Sequence, residues 1–349
     1  MKVLGFATHS ATASLEPFSF TRRETRDDDI VIDILYCGVC HTDLHLARNH
    51  GGYTTYPIIP GHEIIGRVRQ VGAQVSRFQV GQLVGVGCMV DSCQQCQPCQ
   101  HGWEQNCLKG STFTYNSKDR RDGSVTFGGY SQSIVVREAF VLSVPAGLDP
   151  AGAAPLLCAG VTTWSPLLHW NVGAGSKVAV IGLGGLGHMA LKLAKALGAD
   201  VSLFTRTEGK SEDAFRLGAD HVVVSSDPEQ MSAVKGQFDV IIDTVPYDHD
   251  INPYLPTLAL EGVLVLVGYM GQLSTAVNAG MLVSGRKAVT GSFIGGLKET
   301  QQMLDFCGEK GIVSDIEIIP IQKINDAYDR MSRSDVKYRF VIDMASLKI

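Results

Sequence analysis

Lys177-Val-Ala-Val-Ile-Gly182-Leu-Gly184-Gly185-Leu-Gly187 is the stretch on which the fold depends. A five-residue apolar run, Lys177 to Ile181, leads into G-x-G-x-x-G, and a helix-compatible segment from Leu186 to Leu197 follows. That order is the context in which the motif binds a dinucleotide. Glycine permits the tight turn and a close backbone approach to pyrophosphate, and the helix N-terminus favours the anion. Gly182, Gly184, Gly185, Leu186 and Gly187 are therefore candidate cofactor-binding residues.

Outward from this turn, apolar runs at 177–181, 200–204, 221–225, 238–243, 262–268 and 288–294 alternate with helical stretches. The pattern predicts a doubly wound parallel sheet of the Rossmann type. An NAD site usually places Asp or Glu about 20 residues after the first glycine. Here the second run, Val201-Ser-Leu-Phe204, ends in Thr205-Arg206-Thr207 with Lys210 beyond, and Asp200 lies at its wrong end. Hydroxyl and cationic groups suit a 2′-phosphate, so NADP(H) is the expected cofactor.

Upstream, residues 1 to about 150 carry short β-type runs, Ile30-Val-Ile-Asp-Ile-Leu35 and Ile64-Ile-Gly-Arg-Val-Arg69, punctuated by Gly72, Gly81, Gly85 and Gly87. They predict a β-rich, barrel-like domain. Downstream, a helix from Glu299 to Glu309, a strand from Ile316 to Ile321, a helix from Ile324 to Met331 and a strand from Tyr338 to Ile342 are expected to return to that first domain. The length of 349 residues suits about two domains, and 45% hydrophobic content supplies two cores. A net charge of −5 with scattered Lys and Arg gives no basis for a nucleic-acid or acidic-membrane partner. The first ten residues carry one basic side chain and no sustained apolar run, so a cytoplasmic protein with a small-molecule partner is expected.

In a reducing compartment, close C-x2-C spacings among nine cysteines favour metal thiolates over disulfides. Cys93, Cys96, Cys99 and Cys107 form C-x2-C-x2-C-x7-C, four thiolates within fifteen residues that can close a tetrahedron. An iron–sulfur cluster is the rival, but bacterial ferredoxins continue with x3-C-P, so a closed structural zinc is expected. Cys40, His62, Glu63 and Cys158 come from distant segments and mix sulfur with nitrogen, a set that could leave a coordination position for substrate, although each of the four taken alone reads as structural. Cys37, Cys88 and Cys307 read as small buried apolar residues.

Gly38-Val-Cys-His-Thr-Asp43, Gly61-His-Glu63, the four-cysteine run, Cys158 and Gly182 to Gly187 occur in the order of the zinc-dependent medium-chain alcohol dehydrogenases, which the whole chain resembles. Pro155-Leu-Leu-Cys-Ala-Gly160, Gly184-Gly-Leu-Gly-His188 and Gly291-Ser-Phe-Ile-Gly-Gly296 look most like the cinnamyl alcohol dehydrogenase branch and its bacterial aldehyde reductases. The resemblance implies a GroES-like catalytic domain, 1–152 with 293–349, carrying two zinc sites, and a Rossmann NADP-binding domain, 153–292.

It also implies that Cys40, His62 and Cys158 hold the catalytic zinc, with Glu63 as an alternative ligand to water and Asp43 orienting His62 from behind. Thr42 matches the hydroxyl that bonds the reacting oxygen, and His45 matches the outer end of a proton relay. His41 reads either as a neighbour of the pyrophosphate or as a surface histidine. Tyr53, Cys88, Phe113, Trp164, Phe293 and Ile294 are candidate pocket walls. The implied activity is hydride transfer between NADP(H) and a primary alcohol/aldehyde pair, on aromatic and medium-chain aldehydes, in a homodimer joined through segment 288–294. A polyol dehydrogenase is the alternative within the class, although the polyol enzymes commonly lack the four-cysteine run. A non-catalytic zinc-stabilised nucleotide-binding redox sensor is the alternative outside it.

Overall fold

The computed structural model describes residues 1–348. Two compact units emerge, Met1–Cys158 with the chain from Gly296 onward, and Ala159–Gly295.

The first unit is built on the strand Asp29–Val39, whose Ile30, Val31, Ile32 and Ile34 are buried. β-branched side chains suit a strand covered on both faces. It pairs antiparallel with Ile64–Val71, Ser133–Arg137 and Arg339–Asp343. The full sheet runs Ile316–Pro320, Arg339–Asp343, Asp29–Val39, Ile64–Val71, Leu83–Val86 and Leu142–Ser143, with Ser133–Arg137 alongside Asp29–Val39. The tail therefore rejoins the first unit, as expected, and it does so as a sheet partner. Its register, Phe340 opposite Val39 and Ile342 opposite Cys37, brings Arg339 to the end of the central strand where Cys40 begins.

In the second unit six parallel strands lie in the order His221–Val224, Asp200–Thr205, Lys177–Ile181, Phe238–Asp243, Leu258–Leu266 and Ala288–Gly291. This 3-2-1-4-5-6 order is that of a doubly wound dinucleotide fold. Val178, Ala179 and Val180 of the central strand are fully buried, as strands covered on both faces require. The last two strands differ from expectation. The fifth begins at Leu258 and ends at Leu266, and the sixth stops at Gly291, beyond which Ile294 takes a positive φ of 42° that extended backbone does not adopt.

The unit boundaries also fall later than the sequence suggests, at 158/159 and 295/296 in place of 152/153 and 292/293. The helical turn Ala154–Leu157 is the reason: it packs on Asp29–Val39 and Leu83–Val86, so the chain stays with the first unit through Cys158. At the return, Gly296 already sits against Gly102 of the first unit. Among the described residues no single helix is long and apolar enough to cross a membrane.

Candidate active site

Where the central strand ends, the chain turns into the helix His41–Ala47 with Cys40 as its N-cap. Asp43 reaches back and accepts from the Cys40 amide at 2.8 Å, which ties the cysteine to the first turn. The same carboxylate accepts from the Gly61 amide at 3.0 Å and lies 3.2 Å from Nδ1 of His62. One buried aspartate thus fixes two segments and turns the other His62 nitrogen, Nε2, towards the Cys40 sulfur. Gly38 pairs with the backbone of Glu63, and a Cβ at Gly38 would collide with the Glu63 carboxylate, so glycine is the residue that lets Glu63 fold inward. Cys158 closes the group from the end of the Ala154–Leu157 turn, its sulfur 3.9 Å from that of Cys40.

The donor atoms of Cys40, His62, Glu63 and Cys158 all lie within 4.8 Å of one another, and all four residues are buried. A tetrahedral zinc with arms of about 2.3 Å separates its sulfurs by about 3.8 Å, which matches the Cys40–Cys158 spacing. Glu63 Oε2 is buried and has no hydrogen-bond partner, while its other oxygen pairs with the buried Arg339. An orphaned carboxylate oxygen facing two thiols and an imidazole is what a cation would satisfy.

The electrostatics point the same way. Cys40 is held well below the usual thiol range, first by its contact with the Cys158 sulfur, whereas Cys158 is raised by that same contact. Two thiols this close both give up their protons to water only where a positive ion holds the two thiolates. Burial pushes the Glu63 carboxyl up to about 7 against the pull of Arg339. Burial would depress His62, but the Asp43 carboxylate outweighs it and raises the ring well above its ordinary value. Thr42 Oγ1 lies 3.7 Å from Cys40 Sγ, and His45 stands one turn further along the helix, exposed. Burial lowers both His41 and His45, and the neighbouring His50 lowers His45 further.

The second cluster, Cys93, Cys96, Cys99 and Cys107, also has its sulfurs within 4.8 Å of one another. Separations of 3.9 Å (Cys93 to Cys99), 3.4 Å (Cys96 to Cys99) and 4.0 Å (Cys96 to Cys107) approach the edges of a tetrahedral zinc site. The amides of Cys93, Cys96 and Leu108 donate to Cys107, Cys93 and Cys96 sulfurs at 3.4 Å each, bonds that favour thiolates. Backbone amides bring Cys93 down to about 6, while burial pushes Cys99 to about 12. All four positions are cysteine, so the site is closed to substrate.

In the second unit Gly182 takes φ +88°, and a Cβ at Gly187 would strike the Gly182 carbonyl, so the two outer glycines are required by the turn itself. Gly184 caps the helix Gly185–Ala196, whose first turn carries Leu186. Lys210 donates to the Leu183 carbonyl at 3.2 Å, which folds the segment after the second strand over the glycine turn. Burial and the Arg206 charge lower its ammonium. Thr205 is buried at the strand end, while Arg206, Thr207 and Lys210 are exposed beside it.

Residues 26–146 match the model of the alcohol dehydrogenase GroES-like domain, and residues 185–309 that of the zinc-binding dehydrogenases. The chain is 50% identical over 347 residues to the NADP-dependent alcohol dehydrogenase C 1 of Mycolicibacterium smegmatis, covering 99% of each. It is 50% identical over 348 residues to the aldehyde reductase YahK of Escherichia coli, again covering 99% of each. The chain belongs to the zinc-binding alcohol dehydrogenase family. The cinnamyl alcohol dehydrogenase of Sorghum bicolor superposes with a TM-score of 0.94 at 43% identity, covering 100% of this chain and 99% of that one. The Helicobacter pylori cinnamyl alcohol dehydrogenase complexed with NADP(H) gives 0.91 at 42%, covering 99% of both.

The candidate pocket walls of this dehydrogenase divide. Cys88 neighbours the metal-type cluster, close enough to Cys158 for their thiols to shift one another, and Phe113 lies on the adjoining strand Thr112–Phe113 opposite Met89. Tyr53 is 65% exposed, which fits a wall poorly. Trp164 is buried within the helix Ala159–His169 of the other unit, where Ile294 is also buried and Phe293 exposed. Four residues escaped the sequence reading. Arg339 pairs with Glu63 from 276 residues away, Tyr130 donates to Asp43 at 3.2 Å, Tyr115 stacks on His62 at 5.8 Å, and His50 bonds His45. Only Asn49-His50, one turn past the helix, carried a local signal.

Proposed function

We propose that the protein is an NADPH-dependent zinc aldehyde reductase, reversible as an alcohol dehydrogenase, of broad range on aromatic and medium-chain aldehydes. The observation that carries this reading is the buried Cys40, His62, Cys158 set with a bare Glu63 oxygen and the Thr42 hydroxyl at its edge. Zinc held by those residues supplies a Lewis acid for the carbonyl oxygen, and NADPH supplies the hydride.

The remaining work belongs to the chain. Two thiolates and a neutral imidazole carry the two negative charges that would balance Zn2+, and that balance would keep the metal's pull on oxygen moderate and product release feasible. Asp43 holds His62 in one tautomer. Glu63, anchored by Arg339, is poised as an alternative ligand to water. Thr42 bonds the reacting oxygen, and His45 carries the proton between that hydroxyl's side and solvent. The turn Gly182–Gly187 and the helix behind it receive the pyrophosphate, with His41 as a further contact. Thr205, Arg206, Thr207 and Lys210 receive the 2′-phosphate.

The cysteine loop holds the second zinc as a structural brace. The edge strand Ala288–Gly291 pairs on one side only, with Leu258–Leu266, which supports a homodimer joined there. A cytoplasmic location fits the reduced cysteines that both sites need.

The test is a metal count together with a panel of aldehydes and polyols assayed with NADPH and NADH. Two zinc ions per chain, aldehyde reduction and a kcat/KM at least about tenfold higher with NADPH are expected, with Arg206→Ala raising KM for NADPH far more than for NADH. Oxidation of polyols without aldehyde reduction, or no turnover with intact NADPH binding, would overturn the reading.

A further inference from the structure

The helix His41–Ala47 ends in a way that brings two histidines together. Asn49 takes φ +54°, its amide donates to the Leu46 carbonyl at 3.0 Å, and the His50 amide donates to the His45 carbonyl at 3.0 Å. This pair of bonds around a left-handed residue is the Schellman motif, in which the side chains two positions beyond the cap and three before it meet, commonly as an apolar contact. Here the two positions are His50 and His45. Their Nδ1 atoms are 2.7 Å apart, with ring centroids 5.0 Å apart and planes at 63°. The Asn49 side chain accepts from the Thr54 amide at 2.9 Å and its carbonyl from the Gly52 amide at 3.0 Å, so the turn that presents His50 is itself braced.

We propose that His50 is a positioning residue for proton transfer: through the Nδ1–Nδ1 hydrogen bond it holds the ring of His45, couples the tautomer of that ring to its own and links it to water. The inference rests on the reading of His45 as the outer proton carrier given above. Only one proton fits between the two Nδ1 atoms. When His50 holds it, His45 carries its proton on Nε2 and is a donor, the form that reduction of an aldehyde needs. When His45 holds it, Nε2 is bare and accepts, the form that alcohol oxidation needs.

In the reductive direction His45 releases the Nε2 proton towards the reacting oxygen and takes the shared proton at Nδ1, while His50 takes one from water at Nε2. One proton moves from solvent to product, and no electrons move with it. Exchange with water restores the starting tautomers, since both residues are exposed. The other titratable groups facing His45 are His41, whose ring centroid is 6.3 Å away, and the Cys40 thiol. Neither occupies Nδ1, which leaves His50 as the partner that sets it.

The test uses the zinc-loaded full-length protein with His50→Phe, which restores an apolar contact at the motif, and His50→Gln, which keeps a polar partner. Long-range proton–nitrogen spectra of the histidine rings report the tautomer of His45, and steady-state kinetics report kcat and KM. Expected for His50→Phe are loss of the wild-type tautomer pattern of His45, a kcat lower by about tenfold, a larger solvent isotope effect and an unchanged KM for NADPH, with His50→Gln holding the His45 ring but, having no proton to pass on, restoring little of the rate. A wild-type tautomer pattern in His50→Phe, or an altered pattern with unchanged kcat and isotope effect, overturns the proposal. Wild-type protein inactive on every aldehyde sinks the functional reading instead, and the ring spectra still decide whether His50 sets His45.

Discussion

The two metal-type clusters of this protein solve the same problem at opposite ranges. Cys93, Cys96, Cys99 and Cys107 lie within fifteen residues, and their loop's own amides bond the sulfurs. Cys40, His62, Glu63 and Cys158 come from three distant parts of the chain and are brought together by a sheet, a helix start and a buried aspartate. The local cluster ends in four cysteine sulfurs and offers nothing further. The assembled one retains a bare carboxylate oxygen and a hydroxyl at its edge. A site gathered from distant segments can leave a position open, because the sheet and not the ion holds its donors apart.

The contrast is broken most directly by single substitutions. Cys40→Ser should remove one zinc per chain and lower turnover by about 10³-fold or more while NADPH binding and the melting temperature change little. Metal analysis with steady-state rates and cofactor titration checks this, and full activity in the variant would refute the assignment. Cys99→Ser should remove the other zinc and act on stability, lowering the melting temperature by about 10 °C, as a loss of about 3 kcal/mol would. A calorimetric scan showing no shift would mean that the loop holds itself without metal.

Asp43→Asn sharpens the comparison, since it touches only the assembled site. Zinc affinity there should fall by about 10–100-fold. Chelator competition should find the cysteine loop unaffected, and equal loss at both sites would contradict the division. The smallest effect concerns the base of the loop. Arg137 bonds both Asp28 and Asp91, and Asp91 ends the strand just before Cys93. Asp28 is held far below the usual carboxylate range, first by its hydrogen bond from Arg121, against burial and with help from Arg137. Its folded value lies below its unfolded one, so the stabilisation is complete above about pH 4 and fades as pH falls further. Asp28→Asn should cost about 1 kcal/mol near neutral pH, the partly exposed pairs being screened, and only a fraction of that by about pH 2. Denaturant unfolding at both pH values measures the difference.

Much of this was readable from residue order. The glycine turn, the first four apolar runs and the cysteine spacing are local patterns that sit where their period or motif predicts, whereas the last two runs became strands with other bounds. Cys40, Thr42, Asp43 and His45 came forward as candidates through the resemblance of Gly38 to Asp43 to the family's motif, and they share one strand-to-helix turn. Arg339 was not, since no pattern in a final strand announces that its register will carry a guanidinium to Glu63. Tyr130 and Tyr115 read as ordinary core aromatics until Asp43 and His62 lie beside them. The pocket walls were the least legible: side chains such as Trp164 and Tyr53 look alike in sequence whether buried in a helix or open to solvent.

Local chemistry in the chain was sufficient for two things, the dinucleotide turn and the closed thiolate loop, because both are made by neighbours whose backbone geometry depends on a few residues. Everything that joins distant segments was decided by tertiary structure: the donor spacing around Cys40, the Arg339 brace, and the domain limit at Cys158. Strand register and burial set those contacts, and they follow from how the whole core packs, which no short stretch of sequence encodes alone.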